Sequence, residues 1–208
     1  MKLCPKIILE GTRLTHKTDL AFLLNEHPRL VGQRRYRYHS PLISAEWCGF
    51  TNVPWGRGLI NFEQAEESRA METYATWARL FELLRYYSWI IDRFHVSTQV
   101  YQQREFGRAY DFDWLEQRLL PLGFRHVLCA RDPGTFGPAL EARLRVSGNP
   151  AQYGDPEEFI AEQQRIRAAV ARSRLPHLEL DVSGGDLAAL ADRVADWLES
   201  TGGLSAPD

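Results

Sequence analysis

Gly11, Lys17 and Thr18 stand at the first, seventh and eighth places of the segment Gly11-Thr12-Arg13-Leu14-Thr15-His16-Lys17-Thr18. That is the spacing of G-x-x-x-x-G-K-[ST], in which backbone N–H groups and a helix N-terminus wrap a phosphate. In that chemistry Lys17 bridges terminal phosphates as a point charge and Thr18 ligates magnesium. The sixth place departs from the pattern: His16 stands where the second glycine belongs. Glycine there allows unusual backbone angles and close approach, whereas histidine adds bulk and, like Arg13, a further donor. Two readings follow. Either Gly11, Thr12, Arg13, Thr15, His16, Lys17 and Thr18 hold phosphate with changed geometry, or the loop has lost its nucleotide. A plainer reading makes Gly11 a strand-end turn and Lys17 a surface residue. Against it, the chain has only three lysines, Lys2, Lys6 and Lys17, so the position of Lys17 is harder to assign to chance.

Other residues carry candidate chemistry. Asp92 closes the apolar run Ser88-Trp-Ile-Ile-Asp92 and Glu46 lies in a Gly- and Pro-rich stretch. Either carboxylate could orient or deprotonate an acceptor hydroxyl; a solvated loop glutamate is an equal reading of Glu46. Arg34, Arg35 and Arg37 interleave with Tyr36 and Tyr38, a pattern read as an anion-binding edge before a plain strand, and least as a nucleic-acid stacking patch. His39, His95 and His126 share no metal-ligand spacing, so no zinc site is read. Glu157, Glu158 and Glu162 with Arg165, Arg167 and Arg172 read as a solvated helix face of paired charges.

The elements that must position these groups alternate. Strands are expected at Lys6–Glu10, in Arg29–Tyr38, and at Ser88–Asp92, Phe124–Ala130 and His177–Val182. Helices are expected at Lys17–Asn25 (Leu20, Leu23 and Leu24 inward), Phe62–Tyr87, Val96–Gln103, Phe112–Leu120, Phe136–Val146, Pro156–Ser173 and Asp186–Ser200, with a long loop over Ser40–Asn61. In the longest helix Tyr74, Trp77, Ala78, Phe81 and Leu84 mark the buried face. Strand–helix alternation means a parallel sheet covered on both faces, with ligands beyond the strands' carboxyl ends. The fold class is therefore three-layer α/β with a five-stranded parallel sheet. It forms one domain over 1–200, with a small lid at about 143–156 and a flexible tail at 201–208.

Bulk properties narrow the function. A net charge of -2 on 208 residues demands neither nucleic acid nor an anionic membrane. No apolar run approaches a membrane span, and the N-terminal run reads as a strand, not a signal peptide. Cys4, Cys48 and Cys129 are scattered and odd in number, which fits a reducing cytoplasm.

Glu10-Gly11, Asp92-Arg93-Phe94 and Ser97-Thr98-Gln99-Val100-Tyr101-Gln102 resemble the thymidylate kinases and related deoxynucleoside-type P-loop kinases. The resemblance covers about residues 5–200 in layout. It implies a P-loop NTPase fold and phosphoryl transfer from ATP, with Mg2+, to a (deoxy)nucleotide, nucleoside or related small acceptor. It implies that Arg93 contacts the acceptor, that Asp92 and Thr18 serve magnesium, and that Ser97 and Gln102 touch the base. Phe62 and Arg69 would stack the base and hold the acceptor phosphate; Arg143 and Arg145 would be lid arginines, with Arg143 beside Lys17 in catalysis. Asp181 falls where the family binds the donor base through backbone, and a homodimer packed through helices is implied too. The chain departs at Arg13, where the family has an acidic residue, and at Leu14 and His16, where it has glycines. Those departures keep an alternative open: a catalytically altered homologue, either an enzyme acting on nucleotides without ATP or a non-catalytic binding partner.

Overall fold

The computed structural model describes residues 2–31 and 42–207. Five strands form one sheet: β1 (Lys6–Glu10), β2 (Leu42–Ser44), β3 (Trp89–Asp92), β4 (Phe124–Ala130) and β5 (His177–Asp181), in the order β2-β3-β1-β4-β5. Every pairing is parallel, with Leu9 opposite Asp92 and Glu10 opposite Leu128. The strands are short and apolar because both faces are covered. β1 is buried at all five positions.

One face carries α1 (Lys17–Glu26) and α8 (Leu187–Ser200), which bring Leu20, Leu24, Val194 and Leu198 against Ile7, Leu9 and Val127. On the other face lie α3 (Glu67–Leu83), α4 (His95–Phe106), α5 (Asp113–Leu119) and α7 (Pro156–Arg172). There Tyr74 and Phe81 pack with Ile8, Ile91 and Phe124, and α4 meets α7 through Val96, Val100, Ile166 and Val170. α2 (Pro28–Val31) and α6 (Phe136–Leu144) complete the helices of the described residues. This is the three-layer arrangement of five parallel strands expected from the alternation.

Several boundaries differ. Arg29–Val31 is helical, not strand, because Pro28 opens a helical turn instead of closing one; the rest of the strand expected there, with Arg34, Arg35, Tyr36, Arg37, Tyr38 and His39, lies outside the described residues. The strand of that region is β2, inside the stretch read as loop. Its three residues are too short to give a periodic signal, and a 3-10 turn at Ala45–Trp47 follows it at once. Leu23 and Leu84 are partly exposed; Ala21 and Ala70 share the buried stripes instead.

Residues 201–207, expected as a flexible tail, fold back on the N-terminal segment. Ser205 bridges Leu3, Cys4 N–H donates to the Leu204 carbonyl at 2.8 Å, and Arg85 donates to the Pro207 carbonyl at 2.7 Å. No helix of the described residues is long and apolar enough to cross a membrane.

Candidate functional site

The sheet order reverses around β1, so the loop after it stands at the switch point where open parallel sheets bind ligands. Gly11 opens that loop with φ 148, and a Cβ there would meet the Cys129 carbonyl at 2.5 Å and Thr15 Oγ1 at 2.9 Å. Only glycine fits. Leu14 and His16 also have positive φ, 67 and 53. These are the two positions at which the sequence lacks expected glycines, and the backbone keeps the left-handed turns regardless. An L-residue in that region costs about 1–2 kcal/mol. Surrounding hydrogen bonds hold the loop: Thr15 Oγ1 donates to the Thr12 carbonyl at 2.7 Å, and Arg131 Nε, beyond β4, to the Leu14 carbonyl at 2.9 Å.

Lys17 folds inward at the start of α1. Its Nζ donates to the Thr12 carbonyl at 2.6 Å. Burial, then the nearby Arg93 charge, lowers its pKa from the ordinary value. Thr18 Oγ1 donates to Asp92 Oδ2 at 2.5 Å. Asp92 Oδ1 is buried and has no hydrogen-bond partner among the described residues. Burial raises the Asp92 carboxyl against the pull of Lys17 and Thr18. A hydroxyl and an under-satisfied carboxylate form an all-oxygen pair, which fits a hard divalent cation such as Mg2+. Thr18 and Asp92 are the residues that would hold it.

Arg93 is the buried centre of a charge network that reaches the surface at Glu46. It too has positive φ, 61. Its Nη1 donates to Glu46 Oε1 at 2.7 Å, its Nε to Ser97 Oγ at 2.9 Å, and its Nη2 reaches Glu162 Oε1 at 3.4 Å. Burial would push the Glu46 carboxyl up, but Arg93 and Lys17 outweigh it and bring it down to about 2. Glu162 also accepts Thr12 Oγ1 at 2.5 Å. Behind Arg93, Glu10 accepts the Phe94 N–H at 2.9 Å and Ser97 Oγ at 2.5 Å. This is a supporting shell that fixes Arg93 by its neighbours.

These groups border an open cleft of about 1210 Å³. Arg13, Lys17, Glu46, Asp92 and Arg93 meet there, and α6 and the segment after it bring Arg143 and Tyr153, joined by an Arg143 Nε–Tyr153 Oη hydrogen bond of 2.7 Å. Thr15, His16 and Thr18 line it as well, while Gly11 and Thr12 lie beneath.

Four residues expected at an acceptor do not line this cleft. Phe62 is fully buried in the core, against Tyr110. Ser97 is turned inward between Arg93 and Glu10. Gln102 is buried and donates to the Ile60 and Phe62 carbonyls at 3.1 and 2.9 Å, pinning the loop before α3. Arg69 lies over the Phe50 ring at 4.6 Å. Arg145 is exposed outside the cleft, and Asp181 accepts the Ser183 N–H at 2.9 Å.

Glu162 is the largest correction: it is buried, not on a solvated face. The signal was present, because Phe159, Glu162, Gln163, Ile166, Ala169 and Val170 form one three-and-four stripe. Gln163 uses the same face to clamp the Arg131 backbone, with bonds of 2.8 Å each way.

No protein-family model matches the chain, and no curated protein matches it. Solved structures do. The chain is similar to the YorR protein of Bacillus subtilis, solved in complex with phosphorylated GDP, at 18% identity over 94% of this chain and 96% of that one, with a TM-score of 0.62. It is also similar to thymidylate kinase from Candida albicans, at 16% identity over 99% and 96%, TM-score 0.53. Shikimate kinase from Acinetobacter baumannii, in complex with shikimate, matches at 15% identity over 95% and 94%, TM-score 0.53. The chain shares the fold of these structures, two of them kinases, as the sequence led one to expect.

Proposed function

We propose that the chain is a phosphotransferase of the nucleotide-kinase type, moving a phosphoryl group from ATP to a nucleotide, nucleoside or related small acceptor. The observation that carries this is the loop backbone. Leu14 and His16 are held in left-handed conformations that their side chains disfavour, and such strain persists where surrounding structure maintains a functional geometry.

In this reading the loop amides and Lys17 hold the donor phosphates. Thr18 and Asp92 would hold Mg2+, which when bound would neutralise charge on the phosphates. Arg13, Arg131 and Arg143 add positive charge around the moving group, the main work a protein does in this chemistry. Arg93 holds the acceptor. Glu46, kept ionised near neutral pH, accepts a hydrogen bond from the acceptor and orients it. Its carboxyl at about 2 makes it a weak proton acceptor, so its part is orientation. The small-molecule partner is bound in the cleft. The absence of disulfides at Cys4, Cys48 and Cys129 is compatible with a reducing cytoplasm.

The test is calorimetric titration with ATP, with and without Mg2+, of the intact protein and of Lys17→Ala. We expect micromolar, Mg2+-dependent binding that weakens at least tenfold in the variant. No binding by the intact protein would sink the ATP-dependent reading and leave the altered homologue, either an enzyme acting on nucleotides without ATP or a non-catalytic binding partner. With binding established, an acceptor screen over nucleosides and their monophosphates follows, in which Glu46→Gln should lower kcat with little change in the KM for ATP.

A further inference from the structure

A second cluster lies away from the cleft, on the face of the sheet that carries α4 and α5. His95 opens α4, Glu116 comes from α5 and His126 from β4, and all three are buried. One donor atom from each lies within 4.8 Å of the other two. None of the three lines the cleft, and nothing in the phosphate chemistry uses them.

Their hydrogen bonding is unequal. His95 Nε2 and Glu116 Oε1 are 2.9 Å apart, and Glu116 also accepts Ser173 Oγ and the Arg174 N–H, each at 2.7 Å. The carboxylate is thus oriented from behind, as metal-ligating carboxylates are. His126 is 0% exposed, and both of its ring nitrogens lack a partner among the described residues, as does His95 Nδ1. Buried polar groups are normally paired, and each exception calls for a cause. Phe112 and Phe94 wall the site beside His95, so it has the apolar surroundings typical around protein metal ions.

We propose that His95, Glu116 and His126 bind one divalent transition-metal ion of the zinc type, with a water as fourth donor. Two imidazoles and a carboxylate suit zinc in both softness and number. Bonds of about 2.0–2.2 Å about a tetrahedral centre set donors about 3.3–3.6 Å apart, so side-chain rotation must draw the widest pair in by roughly 1 Å and let the hydrogen-bonded His95–Glu116 pair move apart from 2.9 Å. The ion would tie the start of α4, the middle of α5 and β4 together.

The experiment uses the full chain without a polyhistidine tag, stripped by chelator and dialysed, then titrated with Co2+ and with Zn2+. We expect one equivalent of cobalt, the visible absorption of a four-coordinate site, displacement by zinc, and a Tm several degrees higher with zinc than without. His126→Leu should abolish all four signals while far-ultraviolet circular dichroism stays unchanged. Should that variant not fold, Glu116→Gln keeps the shape and must weaken cobalt binding at least tenfold. Less than one-tenth of an equivalent bound by the wild-type protein, or binding unaffected by the variants, would overturn the proposal.

Discussion

Leu14 carries a left-handed backbone without the glycine that would tolerate it. Replacing it by glycine relieves about 1–2 kcal/mol of strain and adds about 0.5–1 kcal/mol of unfolded-chain entropy. Leu14→Gly should therefore raise stability by up to about 1 kcal/mol, read as a higher urea midpoint at unchanged slope; a drop in midpoint would contradict the strain argument. The turn at Gly11 and the start of α1 at Lys17 were legible at this scale, because a strand, its exit turn and the next helix are written in consecutive residues. The backbone at positions 14 and 16 was not: side-chain identity there argued against the turn, and the bonds from Thr15 and Arg131 that enforce it come from the folded loop and from beyond β4. Ser97 and Gln102 were read as ligand contacts from their motif, but the polar neighbours they satisfy, Arg93, Glu10 and the Ile60 and Phe62 carbonyls, are known only once the chain is folded.

At the scale of elements, α7 does more than cover the sheet. Glu162 is held by Thr12 and faces Arg93, so Glu162→Ala would leave a buried guanidinium with less counter-charge and a buried hydroxyl unpaired. A loss on the order of 2–4 kcal/mol is expected from denaturant unfolding, and a change within 0.5 kcal/mol would mean the network relaxes around the gap. Strands β1, β3 and β4 were legible because each is a largely apolar run next to a helical period, and β5 because its leucines alternate with polar residues. β2 was missed because three residues carry no period. Glu162 was missed because its neighbours' charges drew attention from the apolar stripe on which it sits.

For the whole molecule, the depressed Glu46 carboxyl sets a pH dependence. Its ordinary value near 4.5 falls to about 2 in the folded protein, so its contribution is present above 4.5 and is lost as pH falls towards 2. Glu10 and Asp92, raised by burial, act in the opposite sense. Urea midpoints at pH 6, 4 and 3 should fall less steeply for Glu46→Gln than for the wild-type protein; equal slopes would mean Glu46 takes no part in acid unfolding. The neighbouring side chains of α7 have a consequence in time as well as in energy. Glu162 grips the loop after β1 at Thr12 while Gln163 grips the Arg131 backbone, whose side chain in turn holds Leu14. Both side chains therefore tie the loop after β1 to α7. Gln163→Ala removes the acceptor of the Arg131 N–H, so that amide proton should exchange with deuterium faster in the variant; an unchanged rate would mean that Gln163 does not hold the segment.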